Sequence, residues 1–86
     1  MKLIAVVDQN RLTTQAIPPQ YLPSYIVLDE SQGDGVAILL CVGEFTGAHR
    51  REDEIADEWQ ITIEDAKRQV LDRYLVPLDD WRILIP

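Results

Sequence analysis

"HRREDEIADEWQIT", residues 49–62, is the stretch whose reading decides the fold. Ile55, Ala56 and Trp59 stand at i, i+1 and i+4, the spacing of one helix face. Acids crowd its first turns, where they complement the helix dipole. The spacing therefore predicts a short helix over residues 51–59, with Ile55, Ala56 and Trp59 turned inward and the acids in water.

Working outward toward the C-terminus, "QIT" makes a break, and Thr62 is a good N-cap with Glu64 and Asp65 in the turn that follows. Ile63, Ala66, Val70, Leu71, Tyr74 and Leu75 form an apolar stripe, and Glu64 and Arg68 make a mildly favourable i, i+4 pair on the other side. Pro77 stops this second helix. "DDWRILIP", residues 79–86, reads as a last strand in which Trp81, Ile83 and Ile85 alternate with Arg82 and Leu84.

Toward the N-terminus, "VAILLCV" (36–42) is apolar at every position, as expected of a strand covered on both faces. "SYIVLDE" (24–30) precedes it across "SQGDG", whose Asp34-Gly35 is a turn signal, so residues 24–42 read as a hairpin with its second arm inside the sheet. "LIAVV" (3–7) is another strand. Between them, Pro18, Pro19 and Pro23 make residues 8–24 an ordered loop or extended crossing.

These elements predict an α+β fold. It is a small, largely antiparallel β-sheet of about four strands with one or two helices on one face, in the order β-β-β-α-α-β. Its 86 residues suit one domain spanning 1–86. "MKLIAVVDQN" resembles the opening strand of dihydrofolate reductases over those ten residues, but no matching substrate loop follows and no family is assigned.

Composition narrows the function. The net charge is −7, concentrated in the second half of the chain. Such a protein repels nucleic acid and anionic membranes and attracts basic partners. The single cysteine, Cys41, excludes an internal disulfide and a cysteine-rich zinc site. No apolar run approaches the length of a membrane span, and the apolar run at the N-terminus is too short for a signal peptide. The expected compartment is the cytoplasm.

Four groups of residues are candidates for chemistry. Residues 51–75 have the layout of a helix-turn-helix regulatory module, but the second helix sets Glu64, Asp65 and Asp72 against Lys67, Arg68 and Arg73 and leaves no surplus cation for phosphates. Cys41, Glu44 and His49 hold the residue types of a nucleophile and its base, which would centre a small enzyme or ligand-binding domain on residues 41–51. "GEFTGAHRR" (43–51) is a glycine-containing loop ahead of a helix start, with Arg50 and Arg51 to assist a small anion. No spacing fits a metal or a cofactor; Asp53 and Asp57 share a helix face, but two carboxylates do not make a calcium loop.

The fourth group is the acidic cluster Glu52, Asp53, Glu54, Asp57 and Glu58, with Trp59 or Trp81 as an apolar anchor. It points to a non-catalytic module that docks on a basic protein, a nucleic-acid-binding protein or nuclease toxin for example, and occludes it. Immunity proteins and nucleic-acid mimics of similar size and charge work this way.

Overall fold

The computed structural model describes residues 1–30 and 33–84. Five strands and one α-helix follow in the order β1 (Lys2–Val6), β2 (Tyr25–Asp29), β3 (Val36–Cys41), β4 (Glu54–Gln60), α1 (Ile63–Tyr74) and β5 (Arg82–Ile83). The strands form one antiparallel sheet in the spatial order β4-β3-β2-β1-β5. The fold is α+β: β1 to β4 form a meander, and α1 then carries the chain back to the far edge, where β5 lies beside β1.

Charge and propensity do not decide residues 51–59. The expected first helix is instead a single 3-10 turn over Arg51–Asp53 followed by β4. β3 is apolar on both faces and needs hydrogen-bonded neighbours on both edges; β2 supplies one and β4 the other. A register shift opposite Leu40 and Cys41 leaves Ile55 as an extra residue between Glu54 and Ala56. At such a bulge two successive side chains fall on one face. Ile55 and Ala56 accordingly both pack on the core beneath α1. The i, i+1 pair that suggests a helix is thus a bulged strand, and Trp59 lies on the opposite face from Ala56.

The second helix forms where expected. Thr62 caps it, its hydroxyl accepting from the Asp65 amide at 3.1 Å. Ala66, Val70 and Tyr74 are buried against the sheet. The helix ends at Tyr74, and its cap Leu75, two residues before Pro77, takes the left-handed conformation usual for glycine (φ 56°) while its side chain packs on the core. Gln15, from the loop before β2, donates to the carbonyls of Asp72 and Arg73, each at 3.1 Å, and so satisfies two otherwise open helix-end acceptors.

β2 is buried at all five positions, because each face of the sheet carries its own core. Leu3, Ala5, Ile26, Leu28, Ile38 and Leu40 meet α1 on one side. Ile4, Tyr25, Val27, Leu39 and Cys41 form a smaller cluster on the other, covered in part by Phe45 and Leu84. The expected last strand is shorter than residues 79–86: only Arg82 and Ile83 pair with β1 and Ile83 is exposed, while Trp81 packs on the helix-side core. Ser31 and Gln32 of the expected hairpin turn, and Ile85 of the expected last strand, lie outside the described residues. Among the described residues no helix is long and apolar enough to cross a membrane.

Candidate functional site

The face of the sheet opposite α1 is only half covered. The loop from Gly43 to Arg50 folds over one end of it and sets the Phe45 ring 5.3 Å from that of Tyr25, tilted by 55°. Val42 donates to the Asp53 carbonyl at 2.9 Å, which ties the loop's start to the turn before β4. Toward β4 the cover gives way to a hollow of about 720 Å³. Ala37 and Leu39 lie at its base, Lys2, His49 and Arg51 bring basic side chains, and Asp57 and Trp59 line it from β4.

Strand alternation and the bulge divide the acidic cluster among several environments. Asp53 accepts from the Tyr25 hydroxyl at 2.6 Å and lies 3.5 Å from the Arg50 guanidinium. Burial, and then that bond to a carboxylate, hold the Tyr25 phenol well above its ordinary range. Glu54 Oε2 lies 2.8 Å from His49 Nε2, off the line of a hydrogen bond. Glu58 faces α1, where its carboxylate accepts from Arg73 and Gln69. Gln69 also accepts from Gln60, so β4 is tied to the helix by a polar network on that face. Asp53, Glu54 and Glu58 therefore each have an internal partner. Glu52 and Asp57 are exposed, and no described residue forms an ion pair with either.

Trp59 is 54% exposed and sits on the same side of β4 as Asp57. Its ring lies over Gly35, where an added Cβ would come within 1.9 Å of Cζ2. The absent side chain at Gly35 is what lets a large aromatic lie against the backbone there. Sequence reasoning names Trp59 but turns it inward; the clue to its true position is the Asp34-Gly35 turn two residues from its cross-strand partner Ala37. Trp81, the alternative anchor, is half-buried and its indole N–H has no hydrogen-bond partner among the described residues.

The other sequence candidates are rearranged. With residues 54–60 in a strand, residues 51–75 hold one α-helix and form no helix-turn-helix. The loop 43–51 leads into a 3-10 turn and a strand, so the helix start expected to hold an anion is not there. Cys41 is fully buried, its thiol near the Leu39 carbonyl at 3.7 Å and pushed up to about 12 by burial. Glu44 is exposed, and His49 lies beside Glu54 rather than beside the Cys41 thiol. Asp53 and Asp57 share no helix face, and among the described residues no group of three or more His, Cys, Asp or Glu side chains is placed to hold a metal ion.

Comparison with protein-family models, curated proteins and solved structures finds no match to this chain.

Proposed function

We propose that this chain is a small, non-catalytic binding module of the cytoplasm that docks on a basic protein and occludes it, through the side of the molecule carried by β4. The observation that supports this reading is the pairing of Asp57 and Trp59. A carboxylate that is exposed and has no counter-ion among the described residues stands two residues from a half-exposed aromatic that lies against Gly35, on a chain of net charge −7. Fixed aromatics act as anchors at protein interfaces, and complementary charge steers the encounter. Inhibitors of the immunity-protein or nucleic-acid-mimic kind use such an acidic surface. Glu52 adds to the field from the turn before β4, whereas Asp53, Glu54 and Glu58 serve the surface by holding its supports in place.

Affinity capture from source cells tests this, with wild type compared with the Glu52→Lys/Asp57→Lys double variant at low and high salt. A basic protein retained by wild type at low salt, and lost on raising salt or reversing the two charges, is the expected result. Equal capture by both forms contradicts it.

A further inference from the structure

The two edges of the sheet differ. On one side the sheet ends in β5, two residues long; on the other it ends in β4, seven residues long. Among the described residues no backbone group outside β3 hydrogen-bonds to β4 from Ile55 to Gln60. α1 reaches β4 through the side chains of Gln69 and Arg73, which leaves the outer row of backbone donors and acceptors open. An open row of this kind is a template for one more strand.

The charges on β4 select what can pair there. A second copy laid antiparallel on the same edge would set Asp57 against Asp57, or Glu58 against Glu58, in its centred registers, and like charges across a strand pair are destabilising. A basic segment meets acids along β4 instead; of the basic side chains in the hollow, Lys2 lies beside Asp29 and His49 beside Glu54, which leaves Arg51 as the one without an ion pair among the described residues. The bulge at Ile55 twists the strand and confines pairing to Ala56–Gln60. In that span the side chains on the face of the hollow are Asp57 and Trp59. They are two residues apart, about 7 Å along the strand, and an added strand would run about 5 Å away. A long cationic side chain on it reaches both, the carboxylate as an ion pair and the ring as a cation–π contact.

We infer that β4 accepts a strand from its partner: an extended segment with Arg or Lys at alternate positions, one of which lodges between the Asp57 carboxylate and the Trp59 ring. This rests on the reading of the partner as basic and adds the manner of binding.

The test uses the full chain and synthetic ten-residue peptides, followed by amide chemical shifts and hydrogen exchange. A peptide of alternating Arg and Val is expected to bind with a dissociation constant on the order of 100 µM or below. It should slow exchange at Ala56–Gln60 and shift the Trp59 indole N–H. The Asp57→Lys variant, whose own spectrum should show an intact fold, is expected to bind about tenfold more weakly, and so is the Trp59→Ala variant. The same peptide N-methylated at every backbone amide keeps its charge but cannot pair, and is expected not to bind. Equal binding of the methylated peptide overturns strand addition and leaves the basic-partner reading standing. Equal binding of an alternating Glu and Val peptide, or no binding of the Arg peptide at about 1 mM, also overturns it. So does concentration-dependent protection of the same amides without peptide, which would mean that a second copy occupies the edge.

Discussion

At the scale of single residues, two buried groups link stability to alkaline pH. Cys41 and Tyr25 are both fully buried and both hold their protons above their ordinary values of 9.0 and 10.0, chiefly because burial disfavours the charged form. Above pH 9 for Cys41, and above pH 10 for Tyr25, the unfolded chain releases the proton while the folded chain keeps it, so the unfolded state binds fewer protons and stability falls as pH rises. The stabilisation is whole below pH 9 and is lost from there upward, by about 1 kcal/mol per pH unit from Cys41 and by a similar amount from Tyr25 once pH 10 is passed. Urea midpoints measured from pH 7 to 11 should decline above 9, and Cys41→Ala should flatten the decline; a midpoint constant across the range would contradict the burial of both groups. Gly35 makes a different prediction. Adding a methyl there pushes the Trp59 ring away, and because that ring is half in water the cost is modest, about 1 kcal/mol. Trp59 emission should move to the red in Gly35→Ala. Unchanged emission and unchanged stability would mean that the ring does not rest on Gly35.

At the scale of elements, the sequence shows most of the sheet and the second helix and misreads β4. "VAILLCV" and "SYIVLDE" are legible because they are rich in β-branched and large apolar residues, and the all-apolar pattern of the first correctly signals cover on both faces. Thr62 and Pro77 mark the helix because a cap and a breaker act locally. Changing Thr62 to Ala should remove about 1 kcal/mol, read from thermal unfolding, and no loss would mean that the hydroxyl does not cap. β4 is different. Glu54, Ala56, Asp57, Glu58 and Gln60 are poor strand formers taken alone, and they pair only because β3 offers an edge. Its polar inner positions are explained by α1: Glu58 and Gln60 point at Gln69 and Arg73 rather than at hydrocarbon. That match exists only in three dimensions, so the inside-outside alternation of β4 is invisible in the sequence. Sequence reasoning places the acidic cluster on one helix, where the strand deals it to two faces and a turn.

At the scale of the whole molecule, the fold has one face closed by a helix and one face half closed by a loop, and the charge of −7 surrounds both. The arrangement leaves the long edge strand and the hollow beside it as adjoining surfaces, and it puts Trp59 where they meet. This junction is where we propose that a basic partner docks. The chain has two tryptophans, so Trp81→Phe leaves Trp59 as the sole indole. That change removes an indole N–H without a hydrogen-bond partner among the described residues, but also ring area packed on the core, so a loss of about 1 kcal/mol or less is expected in urea unfolding, and a larger loss would mean that the indole carries more of the core than its half-buried position implies. The most direct measurement is the fluorescence of Trp59 in this variant, titrated at low salt with the alternating Arg and Val peptide. A saturable change in Trp59 emission that is reversed by salt and absent in the Asp57→Lys background is what the account predicts. Emission that stays constant across the titration, or changes equally with Lys at position 57, would contradict it.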